Sequence, residues 1–253
     1  MKRNLRFVRA DPAGNVTLLV KTLVPLPERS AAARALLERC GGEQAGFIVP
    51  SRLGGVCRLE MMGGEFCGNA LRSLGRWWAA AHPENGPFLG EISGCDRPLA
   101  LEVRGDTVRA ELPLPLYLRS FGGMSAAVFP GIVHLLREGD PPSEEEVRAL
   151  TAALCRAFSA PAAGVLSLRG EEMVPAVYVR DTDTLYFERS CASGTAAAAA
   201  LLSRGREGES LFALRQPGGT LYVRALRQND ALTELSLWGE VFLSPPEEAE
   251  IEI

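Results

Sequence analysis

The chain has 253 residues, 47% hydrophobic and 23% charged, with a formal net charge of −4. That length and balance suit a globular protein that buries its own core, as one large domain or two ordinary ones. They weigh against nucleic-acid binding, because Lys and Arg form no basic run, and against a membrane span, because no apolar stretch of about 18 residues occurs.

The opening MKRNLRFVRADPAGN carries two early positive charges but no apolar run and no small-residue cleavage site. No signal peptide is read there, and a cytoplasmic location is expected. Strands are predicted at Leu5–Val8, Val16–Thr22 and Phe47–Val49, the first two parted by the turn residues Asp11, Pro12, Gly14 and Asn15. Ser30–Cys40, rich in Ala, Leu and Arg, reads as a helix ended by Gly41-Gly42. Val56–Met62 reads as a strand, followed by the turn Gly63-Gly64-Glu65-Phe66-Cys67-Gly68. Asn69–Ala81 then reads as a helix with Leu71, Leu74, Trp77 and Trp78 near one face, the tryptophans as packing residues.

The second half repeats this order. A helix is predicted over Ser143–Phe158, strands over Val174–Val179 and Thr184–Phe187, then the turn Glu188-Arg189-Ser190-Cys191-Ala192-Ser193-Gly194. Thr195–Ser203 reads as a helix with five consecutive alanines and no charge before Arg204. A helix apolar on all sides must be buried on all sides, as one wrapped by a sheet would be. Strands return at Thr220–Leu226, Leu232–Leu237 and Val241–Leu243, before an acidic tail. Cys67 and Cys191 stand 124 positions apart, near half the chain, and the pattern reads as a duplication. The domains are drawn at 1–117 and 118–240, with the tail 241–253 returning to the first.

Of the six cysteines none forms a CxxC pair, and there are two histidines, His82 and His134, with no Cys/His cluster. Neither a disulfide framework nor a metal site is expected. Cys67 and Cys191 differ from the others in their setting. Each precedes a predicted helix, whose first turn offers unpaired N–H groups and the positive end of the dipole. That field favours a thiolate and also binds a carboxylate. Two such turns could hold an amino acid by its α-carboxylate with one sulfur removing the Cα proton and the other supplying one to the opposite face. The small residues Gly68, Ala192 and Gly194 let backbone approach a ligand. A cysteine beside glycine is also a common small buried residue, and from pattern alone both readings stand.

At these residues the sequence resembles the diaminopimelate epimerase / proline racemase superfamily. Cys67-Gly68-Asn69-Ala70-Leu71-Arg72 is similar to the family's first motif, and Glu188-Arg189-Ser190-Cys191-Ala192-Ser193-Gly194-Thr195 to its second. Gly14-Asn15, Gln44 and Gly131-Ile132-Val133-His134 fit weaker family motifs. The resemblance implies an α/β fold of two pseudo-symmetric lobes, each a mostly antiparallel β-sheet or barrel wrapped around a central helix. It implies a racemase or epimerase without cofactor, with Cys67 and Cys191 as acid/base pair, and Glu188 on the substrate ammonium. Backbone near Gly68, Asn69, Ser193 and Gly194 would hold the carboxylate. Asn15, Gln44, Glu60, Glu65, His134, Arg189 and Thr195 complete the implied substrate-binding set. The partner is a small-molecule amino-acid substrate; a homodimer follows from the resemblance only.

Departures from the diaminopimelate pattern bear on the substrate. Ile132 stands where one family asparagine is expected, Met173 or Glu172 near a second and Glu60 near a third. A carboxylate in place of neutral donors disfavours a second substrate carboxylate and suits an imidazole or cation. The pattern is most similar to histidine racemases of opine-metallophore pathways, and L-histidine is the expected substrate. Diaminopimelate, proline and hydroxyproline remain as alternative substrates. A phenazine-type isomerase would use a carboxylate rather than two thiols, and a relative that only binds a small molecule is the non-enzymatic alternative. His134 reads as a wall residue or as a direct base, Glu65 as a solvated cap or as a wall of the site.

Overall fold

The computed structural model describes residues 2–84 and 86–253. They divide into two units, one from residues 2–111 with Trp238–Ile253, the other Leu112–Leu237.

In the first unit, alternation of apolar and polar residues sets which side of the sheet each side chain takes. Strand β1 (Lys2–Asp11) pairs antiparallel with β2 (Thr17–Val20), and helix α1 (Arg29–Cys40) leads to β3 (Gln44–Val49), parallel to β2. Strand β4 (Arg58–Met61) returns antiparallel to β3. Helix α2 (Gly68–Ala81) leads to β5 (Phe88–Ile92), parallel to β4, and β6 (Leu99–Arg104) and β7 (Thr107–Glu111) follow antiparallel. Leu18 and Val20 of β2 pack with Ala32, Ala33 and Leu36 of α1. Leu19, between them, packs on the other face with Ala70, Leu71 and Leu74 of α2. α2 is the central helix of this unit: every residue from Gly68 to Gly75 is buried.

The second unit runs through β8 (Tyr117–Phe121), β9 (Met124–Phe129), β10 (Ile132–Glu138), α3 (Glu144–Phe158), β11 (Ala162–Arg169), β12 (Glu172–Val179) and β13 (Thr184–Phe187). Then come α4 (Ala192–Leu202), β14 (Gly208–Gln216), β15 (Gly219–Gln228) and β16 (Ala231–Glu240), whose last residues belong to the first unit. β9 and β10 are antiparallel, β10 and β11 parallel, β11 and β12 antiparallel. The end of β14 pairs parallel with the start of β12, Arg215 opposite Glu172, and β15 is antiparallel to β14. This is the strand and helix order of β1 to β6, with β13 added beside β12. α4 is the central helix here, buried at Ala192 and from Gly194 to Leu201. Its alanines keep the helix narrow enough for close contact with surrounding strands. α3 opens with a capping box, Ser143 and Glu146 satisfying each other's backbone N–H.

The end of the chain is a strand. β17 (Phe242–Leu243) and β18 (Glu247–Glu252) lie antiparallel to β1. Ala249 and Ile251 enter the core while Glu248 pairs with Arg6 and Glu250 with Lys2. Among the described residues, no helix is long and apolar enough to cross a membrane.

Candidate active site

In the first unit, Cys67 is the N-cap of α2, with extended backbone at φ −135° and ψ 111°. Its Sγ accepts the Ala70 N–H at 3.4 Å, as a capping side chain does. Sγ also accepts from Gln44 Nε2 at 3.2 Å. Gln44 opens β3, and the same nitrogen donates to Asn15 Oδ1 at 2.7 Å and Thr17 Oγ1 at 2.9 Å. Asn15 in turn donates to Glu43 Oε2 at 2.6 Å. The parallel pairing of β2 with β3 sets Thr17 opposite Gln44, so the sheet register itself fixes this network.

The turn before Cys67 is held by backbone contact. Ser93 Oγ donates to Glu65 O at 2.9 Å and accepts the Met61 N–H at 2.9 Å. Gly94, at φ +72°, has no room for a Cβ against the Phe66 nitrogen. Burial pushes the nearby Cys57 thiol up to about 12, with the Glu91 charge adding to it. Fully buried Arg72, on the second turn of α2, is pushed down to about 10 by burial, against the pull of Cys67.

In the second unit, Cys191 is the N-cap of α4, extended at φ −127° and ψ 107°. Its Sγ accepts the Gly194 N–H at 3.3 Å and lies 3.5 Å from Ser193 Oγ. Ser193 Oγ is 2.9 Å from Nε2 of His134 on β10. His134 is fully buried, and burial pushes it down to about 3, so the ring is neutral near pH 7. Burial likewise raises the Cys191 thiol well above its ordinary value. The charge and hydrogen bond of Glu188 add to this, while Ser193 and the Gly194 N–H work the other way. Cys191 is therefore a thiol at neutral pH. Gln216 at the end of β14 clamps this turn: Oε1 accepts the Cys191 N–H at 2.8 Å and Nε2 donates to Thr195 Oγ1 at 2.9 Å.

Within its own unit, each cysteine gathers several of the expected residues. Asn15, Gln44, Gly68 and Asn69 lie with Cys67, and His134, Glu188, Ser193, Gly194 and Thr195 with Cys191. Glu60 is instead engaged by Arg58 at 2.6 Å and Arg52 at 3.5 Å, so its charge is met locally. Glu65 is exposed, its carboxylate folded over Gly63, and Arg189 is exposed. Sequence reasoning gave no role to Thr17, Arg72 or Gln216. Thr17 is a fully buried hydroxyl opening an otherwise apolar strand, a readable signal. Gln216 has no local signal, because its partners come from a turn 25 residues away.

The sequence and the fold find counterparts among known proteins. The family model described as the histidine racemase CntK N-terminal domain matches residues 4–246. The chain belongs to that family. A histidine racemase of Fusobacterium nucleatum is 29% identical over 218 residues, covering 76% of this chain and 78% of that protein. A histidine racemase of Staphylococcus aureus is 25% identical over 261 residues, covering 94% of each. Among solved structures, a Bacillus anthracis phenazine biosynthesis protein of the PhzF family superposes with TM-score 0.71 at 13% identity, covering 100% of both chains. An Agrobacterium vitis hydroxyproline epimerase superposes at 0.66 and 12% identity, covering 98% of this chain and 93% of that one. The fold of this histidine racemase family member is thus the mixed α/β fold shared by PhzF proteins and proline racemase-like epimerases, and its class is isomerase.

Proposed function

We propose that the chain is a cofactor-independent histidine racemase that inverts Cα with Cys67 and Cys191. The observation that carries this is the shared environment of the two sulfurs: each caps a buried central helix and accepts the N–H of the residue three positions on. One sulfur, as thiolate, takes the Cα proton. The other, as thiol, gives its proton to the opposite face and is left as thiolate, so no proton or electron is gained or lost. First-turn N–H groups of α2 and α4 would bind the α-carboxylate, and their positive ends would stabilise charge spreading onto it as Cα loses its proton. Glu188 would hold the substrate ammonium.

Histidine as substrate is supported by the family and by the relatives from F. nucleatum and S. aureus. The side-chain pocket remains part of the proposal, since Glu60 is already paired with Arg58. Following the resemblance, the enzyme would work in the cytoplasm and its D-histidine would enter metallophore assembly.

The test is racemisation of a panel of amino acids, with solvent deuterium wash-in at Cα. L- and D-histidine should interconvert without added pyridoxal phosphate, and Cys67→Ser and Cys191→Ser should each abolish it. Turnover of diaminopimelate or proline with none of histidine would reject the substrate. Full activity in either serine variant would reject the mechanism.

A further inference from the structure

Arg72 lies wholly inside the first unit, and none of its three guanidinium nitrogens has a hydrogen-bond partner among the described residues. A buried cation is ordinarily met by acceptors. The buried Arg227 of the second unit shows the ordinary case, donating to Ser203 Oγ, Asp230 O and Ala200 O. Nothing comparable meets Arg72. It stands five positions after Cys67, the N-cap of the same helix, and the charge of that sulfur works against the burial that lowers the Arg72 pKa.

The Cys67 sulfur is also surrounded by donors. Gln44 Nε2 and the Ala70 N–H both point to it, and it sits at the positive end of a 14-residue helix. Such a setting favours the charged form of sulfur. We propose that Arg72 is a positioning residue that, from inside the core, holds Cys67 as a thiolate in the ligand-free protein, so that Cys67 is the base at rest. This rests on Cys67 being one of the two acid/base thiols. The Cα proton then moves to Cys67, the Cys191 thiol proton moves to the opposite face, and the protein is left with a Cys67 thiol and a Cys191 thiolate. Reverse turnover or proton exchange with water resets it.

Other charged groups on elements packed against α2 have partners of their own. Glu60 of β4 and Glu91 of β5 are met by Arg58, Glu91 also by the loop ahead of it. Glu102 and Arg104 of β6 pair together, and Glu111 of β7 pairs with Arg97. Arg109 of β7 lies over Trp238, and Arg76 on α2 itself pairs with Asp106. Arg9 of β1 pairs with Glu247, and Asp11 accepts the Gly14 N–H. Glu43, ahead of β3, is bonded to Asn15. The cysteines of the same core, Cys57 and Cys95, are free thiols.

The experiment is alkylation by iodoacetamide as a function of pH, read at the Cys67 peptide by mass spectrometry, in the full chain and in Arg72→Met and Arg72→Lys. The wild-type Cys67 midpoint should lie below the roughly 8.5 of a free thiol. Arg72→Met, similar in volume but uncharged, should raise it by at least one pH unit and lower kcat more than KM. Arg72→Lys should keep the midpoint within half a unit of wild type. A folded Arg72→Met variant whose Cys67 profile coincides with wild type overturns the proposal. Should Arg72→Met not fold, Cys67→Ser tests whether the sulfur is a thiolate at rest, which the proposal requires. The Tm gap between wild type and Cys67→Ser should widen from pH 6 to pH 9, and a gap constant over that range overturns it. Alkylation needs no turnover, so active serine variants would remove the function while leaving this electrostatic result standing.

Discussion

Gly164 on β11 lies in register with His134 on β10, and the space of its missing Cβ is taken by Nδ1 of the His134 ring. Gly164→Ala would push the ring off Ser193 or push the strands apart. It should lower Tm by roughly 3–10 °C, as overpacking in a core does, and reduce racemisation. The double variant Gly164→Ala with His134→Ala should recover part of that Tm, because the alanine then has a vacated volume beside it. A double variant whose Tm loss is the sum of the two single losses would refute this packing account.

His134 gives the protein a pH dependence whose sign is fixed. Burial lowers it to about 3, against an ordinary value of 6.5, so between those limits the unfolded chain binds a proton that the folded chain does not. Stability should therefore fall as pH drops from about 6.5 towards 3. Urea unfolding at pH 7 and pH 5 checks this, and His134→Asn should lose less stability over that interval. An NMR titration that places the folded His134 near 6.5 would contradict it.

Gln44 spreads one amide nitrogen over Cys67, Asn15 and Thr17. Gln44→Ala takes this donor from buried Asn15 and Thr17 and from Cys67, whose Sγ keeps the Ala70 N–H, at a cost of about 1–3 kcal/mol. Racemisation should fall roughly 10- to 100-fold if the lost bond to the sulfur forms part of transition-state stabilisation at about 1.5–3 kcal/mol. Wild-type kcat in a folded Gln44→Ala variant would show that the contact is structural alone.

Glu91 of β5 has no exposure and accepts from Ser51 Oγ and from the N–H groups of Arg52, Leu53 and Gly55. Burial works to raise its pKa, but these bonds outweigh it and leave the carboxyl at about 2. Its stabilising effect is present above the ordinary value of 4.5 and is lost as pH falls through 2. Glu91→Ala should expose the 51–55 loop to limited proteolysis at neutral pH. A protease-resistant loop in that variant would show that the segment holds without its buried anchor.

Much of the fold was legible because period and punctuation agree with it. Asn69–Ala81 and Ser143–Phe158 were predicted helices within one residue of α2 and α3. The helix predicted from Thr195 in fact starts at Ala192, since the small residues that read as a turn are its first turn, capped by Cys191. The sequence reading has no strand over β5 to β11 or over β14, where apolar and charged residues alternate imperfectly, as in Leu-Ala-Leu-Glu-Val-Arg of β6. The acidic tail hid β18: its Glu-Ala-Glu-Ile-Glu alternation is a strand whose polar side meets Lys2 and Arg6. At the candidate site, the residues beside each cysteine in sequence were readable. Thr17 has a local signal in its polar place on an apolar strand, Gln216 has none because the sheet delivers it from a distance, and the role of Arg72 shows only once burial leaves it without a partner.

The same order of strands and helices occurs twice in one polypeptide, and each copy contributes one sulfur at the head of its inner helix. Two identical half-length subunits would be bound to give both sulfurs the same neighbours. Because each sulfur belongs to its own stretch of sequence, their neighbours differ: Gln44 stands by Cys67, and Glu188 and Ser193 by Cys191, with His134 behind Ser193. A single substitution beside one sulfur can therefore change its surroundings and leave those of the other as they are.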